Sequence, residues 1–235
     1  MEGVGGIFGL PFKSPGWFGT FVLMGLIALI PIVGQVNMYG WILTQLDYYR
    51  QGRTDVPPAG FYLGRGINVF LASIIWALPI LLLGGVAVVS FIGASVAGAA
   101  SCGSVAATET CTPSATAVVP GIFSTLLFVL IIPLGLLLAF LQPAIWVATE
   151  RGGLASGLNP AHVFGIASKK PGNTLVAALL EYVAGFIAGL GVYLCCVGAL
   201  VTIPYGYLLY AGILRHYEYS LEPPAPAPPT SPAPA

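Results

Sequence analysis

The run from Thr174 to Tyr217, TLVAALLEYVAGFIAGLGVYLCCVGALVTIPYGYLLYAGILRHY, carries one acidic residue, Glu181, and no basic residue before Arg215. As one straight helix it would be roughly 65 Å long, about twice the thickness of a bilayer core. It is therefore two membrane segments or one span with a long extension. Pro204 and the Gly189, Gly191 and Gly198 cluster supply the places to break it. Only 7% of residues are charged and 57% are hydrophobic, with a mean hydropathy of +0.92. Soluble domains carry about a quarter charged residues, so composition alone excludes a water-soluble fold.

The rest of the chain reads the same way. Residues 1–16 are rich in Gly and Pro and are expected to lie along the surface as an N-terminal segment. Trp17–Ile30 is apolar, PIVGQVN brings turn chemistry around Pro31 and Gly34, and Val36–Tyr49 resumes as a helix, which favours a short hairpin over one kinked span. QGRTDVPPAG is a loop. Long helices are expected over about Gly66–Ala97 and Val118–Thr149, interrupted at Pro79, Pro133 and Pro143. A polar stretch over 150–173 contains a short helix at Asn159–Lys170, with Asn159 as N-cap and Pro160 at its first position. The final run divides near Gly191–Gly198. The expected fold is all-α, an integral membrane helical bundle of about six hydrophobic segments, two short hairpins flanking two long helices. The transmembrane domain covers 17–219. The Pro/Ala tail of residues 220–235 cannot bury a core and is expected to be disordered.

Lys and Arg placement sets the orientation. Arg50, Arg53 and Arg65 flank one loop and Arg151, Lys169 and Lys170 flank another, whereas 99–116 has none. With six segments, the first two loops and both termini are expected to be cytoplasmic and 99–116 outside the cell membrane. The N-terminus lacks the basic start and short apolar core of a signal peptide. A weak echo relates Ile30-Pro31 with Tyr39-Gly40-Trp41-Ile42-Leu43 to Ile203-Pro204 with Tyr210-Ala211-Gly212-Ile213-Leu214, as a repeat of transporter halves would.

Four blocks taken in order carry a family resemblance. They are SPGWFGTFVLMGLIALIPIVGQVNMYGWILTQLDYYRQG, VPPAGFYLGRGINVFLASIIWALPILLL with its Gly66-Ile67 step, ERGGLASGLNPAHVFGIASKKPGNTLVAALL, and GLGVYLCCVGALVTIPYGYLLYAGILRHY. Together they cover about residues 14–219, and the chain resembles the uncharacterised prokaryotic membrane family known as domain-of-unknown-function family 4013. The resemblance implies a protein of several membrane helices and brings neither catalytic residues nor a substrate.

The sequence holds no Walker loop, no His-Glu-x-x-His and no CxxC, and no Ser/His/Asp set with usable context. With balanced charge and no basic patch it gives no reason to expect nucleic acid as a partner. No cofactor or metal is called for by the residue inventory. Glu181 is the sharpest candidate: an acid two turns inside an apolar helix is costly and normally has a partner or a function. One reading makes it a proton or cation site with Gln142, or with Gln35 and Asn37, facing it. The other places it at the membrane boundary, neutral or paired with Lys169 or Lys170. Gly185-x-x-x-Gly189 offers a face for close helix approach. Cys102 and Cys111 stand in a polar loop and are candidates for a disulfide in an oxidising compartment, while Cys195 and Cys196 read as packing residues. His162 and His216 are candidates for contact with a pigment or other ligand at the membrane edge, against an ordinary role in the interfacial belt.

Two functions stand open on this evidence. The first is a non-enzymatic scaffold or accessory subunit whose partners are the lipid bilayer and other membrane proteins. The second is a small-solute or ion transporter, or channel-like protein, centred on Glu181.

Overall fold

The computed structural model describes residues 4–102, 115–193 and 198–222, and all its regular elements are helical. A single turn, α1 (Val4–Ile7), and a 3-10 turn at Leu10–Lys13 precede α2 (Trp17–Ala28) and α3 (Val33–Arg50). The long helices α4 (Leu63–Cys102) and α5 (Ala115–Gly157) follow, then the short α6 (Pro160–Lys169), α7 (Pro171–Tyr193) and α8 (Ala199–Leu221). Among the described residues three helices are long and apolar enough to cross a membrane, Leu63–Ala97, Val118–Gly157 and Pro171–Tyr193, and Trp17–Ala28 is a shorter apolar helix. The chain is an all-α membrane helical bundle.

Two compact units divide it: Met1–Ala72 with Leu141–Ala235, and Ser73–Phe140. The second unit consists of the later part of α4 and the first part of α5. Its side chains are largely apolar and exposed, Leu81, Leu82, Val89, Phe91, Leu126 and Ile132 among them, as a surface solvated by lipid requires. The hydroxyls of Ser95, Ser124 and Thr125 bond back to carbonyls of their own helices, so they add no unpaired donors to that surface. Pro79 sits inside α4 without ending it.

In the first unit α8 is the hub. It packs against α7, α2, α3 and the N-terminal turn, and Leu208, Leu209, Leu214 and Tyr217 are fully buried on it. Pro204 does not break the last run; it lies inside α8. Having no N–H, it leaves the Leu200 carbonyl one turn back without a helical donor, and α2 meets the backbone there. A Cβ on Gly25 would overlap Leu200 O, so only glycine admits that approach. A second crossing brings α3 onto the start of α4, where a Cβ on Gly66 would overlap Val36 O.

The α2–α3 hairpin turns as PIVGQVN predicts, but through a strained residue. Ile32 has φ 64° and ψ −61°, and Val33 N–H donates to Pro31 O at 2.7 Å, the geometry of a classic γ-turn. On α3, Asn37, Trp41 and Gln45 lie one helical turn apart and hold the following loop by its backbone. They donate to Gly60 O at 3.0 Å, Pro57 O at 3.3 Å and Asp55 O at 3.2 Å, and Tyr62 N–H returns a bond to Asn37 Oδ1 at 2.5 Å.

Several boundaries differ from expectation. α5 runs past Thr149 to Gly157, interrupted at Gly153 with φ 72°, because Glu150 and Arg151 are drawn into ion pairs rather than solvated as a loop. α6 ends at Lys169, Pro171 opens α7, and α8 extends to Leu221. α6 has the expected cap, Asn159 Oδ1 accepting the His162 N–H at 3.4 Å. Gly185 and Gly189 are not the close-packing face, since a Cβ at either would meet nothing within 4 Å. α7 instead meets α8 through Ala184, Ala188 and Gly191, opposite Gly206 and Thr202. The echo between the two Ile-Pro pairs does not mark equivalent positions: Pro31 is in a turn and Pro204 in a helix. The Cys102–Cys111 pairing, Cys195 and Cys196, and the tail beyond Glu222 lie outside the described residues.

Candidate functional site

The first unit encloses a cavity of about 250 Å³ between α3, α5, α7 and α8. Glu181 reaches it from α7 and Gln142 from α5. Four aromatic side chains complete the wall: Tyr39 from α3, Trp146 from α5, and Tyr207 and Tyr210 from α8. The rings support one another. Tyr39 and Trp146 meet edge to face with centroids 4.8 Å apart, Trp146 and Tyr210 stand 4.9 Å apart, and Tyr39 and Tyr207 6.2 Å apart. α7 carries Glu181 and Ala184 one turn apart on the face toward α8, and both are buried; the small side chains there leave room for the cavity.

Its polar groups are incompletely used. Glu181 is only 9% exposed. Among the described residues its Oε1, the Trp146 Nε1 and the Tyr210 hydroxyl are buried with no hydrogen-bond partner of normal geometry. Glu181 and Gln142 both lie close enough to the Tyr210 hydroxyl to interact with it, so the Trp146 Nε1 is the clear orphan, a kind of group that costs about 1–3 kcal/mol and is rare in a buried wall. Chemically, the set offers one carboxyl oxygen, two N–H or O–H donors, an amide and several aromatic faces.

The candidate residues read from the sequence divide. Glu181 and Gln142 share this cavity. Gln35 is one step behind it, its Oε1 accepting the Tyr207 hydroxyl at 2.5 Å. Asn37 is not part of it; both ends of its amide are engaged by the loop at Gly60 and Tyr62. Lys170 does not pair with Glu181, since its Nζ donates to Ser220 O. His162 is exposed on α6 and His216 exposed near the end of α8, and the two are not brought together. No group of three metal-capable side chains occurs among the described residues. Sequence reading missed the four aromatic residues as a set, because they come from helices far apart in the chain.

At one end of the same unit the charged residues gather into a network. Arg50, closing α3, forms a two-pronged pair with Glu150 of α5 at 2.8 and 2.7 Å. It also bonds Glu218 of α8 at 3.1 and 2.5 Å and Asp47 at 3.1 Å. Glu150 foremost, with Glu218 behind it, holds the Arg50 guanidinium above its ordinary pKa. Arg65 pairs with Asp47, and Arg151 with Glu222 at 3.2 Å. These pairs tie the charged ends of α3, α4, α5 and α8 together.

An all-helical bundle with long lipid-compatible helices, a charged cluster at helix ends and a polar cavity among apolar walls is a multi-pass membrane protein. The chain belongs to the family described as "Protein of unknown function (DUF4013)", whose model matches residues 23–197. That match stops short of α8, so the Tyr207 and Tyr210 wall lies beyond it. No curated protein and no solved structure matches the chain.

Proposed function

We propose that this protein is a non-enzymatic carrier of a small organic cation, with Glu181 as its intramembrane binding group. The observation that carries the reading is Glu181, a buried carboxyl with no cationic partner among the described residues, in a cavity walled by Tyr39, Trp146, Tyr207 and Tyr210. A carboxylate set among aromatic faces is the arrangement that recognises substituted ammonium groups. A carboxyl group in such a place holds either a proton or a cation, and the two exclude each other, which is the chemistry of proton-coupled exchange. Gln142 and the Tyr210 hydroxyl orient the ligand, and the aromatic walls replace its water. The gathering of Arg50, Arg65, Arg151 and Arg215 toward one end of the unit supports a cytoplasmic placement of that end, and with it of both termini, in the cell membrane.

The test is flux in proteoliposomes carrying an internal pH dye, with tetramethylammonium and choline added outside. Wild type should exchange protons for at least one of them, and Glu181→Gln should abolish the exchange while melting at the wild-type temperature. No proton movement with either cation, or equal movement in the variant, refutes the proposal. One observation favours a second reading as scaffold or accessory subunit: the 35-residue apolar helix Leu63–Ala97 is about 52 Å long, well beyond a bilayer core of about 30 Å. Stoichiometric co-purification of another membrane protein from the native membrane would support that role.

A further inference from the structure

A second cavity, of about 330 Å³, opens in the first unit between the N-terminal segment, the start of the loop after α3, and the end of α8. Among the described residues its lining includes Lys13, Arg53, Arg215 and His216, and no Asp or Glu. The whole chain has only eight Lys and Arg and two His. Bringing three of the former and one of the latter to a single cavity, from three distant parts of the chain, makes a concentrated positive site in an otherwise neutral protein. The remaining wall is Thr54, three glycines (Gly6, Gly52 and the buried Gly212) and the apolar contacts of Ile7, Leu10 and Tyr49.

The basic groups differ in how far they are already committed. Arg53 pairs with Asp55 and lies 3.7 Å over the Tyr48 ring. Arg215 has only a long contact to Glu218, 3.8 Å, and its Nε is buried with no hydrogen-bond partner among the described residues. His216 is exposed. Arg215 also borders the acidic cleft of Glu150, Glu218 and Glu222, but its unsatisfied Nε–H, beside a cavity whose described lining holds no carboxylate, wants an anionic acceptor. The volume is within the range of ligand sites, and the mixture of cationic and apolar walls suits an anion borne on an organic group.

We propose that this cavity binds a phosphate group, with Arg215, His216 and Lys13 as its ligands. The chemistry is that of a phosphate ester and is shared by an anionic phospholipid headgroup and a soluble phosphate compound. The site is independent of the Glu181 cavity and stands or falls without it. Because Gly6, Ile7, Leu10 and Lys13 form one wall, an occupied site pins the N-terminal segment to α8, which bare helix packing does less firmly.

The full chain in nanodiscs tests this. Nanodiscs of phosphatidylcholine with a small fraction of phosphatidic acid are examined by native mass spectrometry for retained lipid. Phosphatidylcholine nanodiscs are titrated separately with inorganic phosphate and with glycerol 3-phosphate. Amide exchange of residues 6–13 is followed in each. Two variants are compared, Arg215→Gln and Lys13→Gln/His216→Gln, the second leaving every ion pair of the Arg50 network in place. Saturable retention of phosphatidic acid, weakened about tenfold or more in both variants, supports the site and identifies the lipid as its source. Saturable binding of either soluble phosphate, weakened likewise and slowing exchange at 6–13, supports it with a soluble ligand. Binding of neither class, or binding undiminished in both folded variants, overturns it.

Discussion

Replacing Arg50 by alanine removes one side chain that serves carboxylates on three helices. Arg50 is 27% exposed, Glu150 13% and Glu218 3%, so the loss falls mainly on acids with little access to water. After the substitution Glu150 keeps only the 3.7 Å contact with Arg65, and Glu218 only 3.8 Å contacts with Arg151 and Arg215. Breaking a fully buried pair costs about 3–5 kcal/mol. Allowing for the partial exposure of the arginine, the expected loss is about 2–4 kcal/mol, equivalent to a fall in melting temperature on the order of 5–12 °C for a chain of this size. Thermal melting of purified protein in nanodiscs, with a denaturant titration alongside, measures it. Arg50→Lys should fall between, because an ammonium group cannot offer two parallel N–H bonds to Glu150 and still reach Glu218. Arg53→Ala, which opens a solvent-exposed pair, should leave the melt unchanged. A double-mutant cycle with Glu218→Ala isolates the coupling. A loss in Arg50→Ala below about 1 kcal/mol, the scale of an ordinary surface pair, would refute the view that this network locks the helix ends.

Three further outcomes are expected. Gly66→Ala places a methyl group against the Val36 carbonyl and should cost about 2–3 kcal/mol or prevent assembly, seen as lower folded yield and earlier denaturation. Ile32→Gly relieves a positive φ at a side chain that is 67% exposed and should stabilise the protein by about 1 kcal/mol, seen as a higher melting temperature. Glu181→Gln should leave the fold intact while removing cation-coupled proton movement, since it keeps the shape of the side chain and can still meet the Tyr210 hydroxyl.

Much of the fold was legible because membrane helices satisfy their own backbone and announce themselves by apolar length. The hairpin at Pro31, the long helices after Arg65 and before Thr149, and the Asn159 cap all follow from local chemistry. What failed was partnership. The spacing of Gly185 and Gly189 marks a small-residue stripe without saying which side of the helix meets a neighbour, and the contact fell to Ala184, Ala188 and Gly191. Asn37 looked like an intramembrane polar group because its loop partners, the Gly60 carbonyl and the Tyr62 N–H, are about 25 residues away in sequence. Glu181 was visible as an isolated acid, but Tyr39 and Tyr210 were not visible as its neighbours. Nor did the scattered Lys13, Arg53 and Arg215 register as a basic cluster, since charge patterning along a chain finds only clusters that are contiguous. The polar stretch from Glu150 was read as loop because nothing local records that Arg50, a hundred residues earlier, would neutralise it.

The three α3 side chains that hold the 55–60 loop reach peptide oxygens only. Every residue type presents the same peptide oxygen, so these three bonds are specified from the helix side, while Val56, Ala59 and the buried Pro57 add the loop's own packing. A saturation scan should find Asn37, Trp41 and Gln45 intolerant, while Asp55 and Gly60, at the other ends of two of the same bonds, accept more replacements than the buried Pro57. The outward-facing positions of the loop are thereby free to acquire new surface chemistry without loosening its seat on α3.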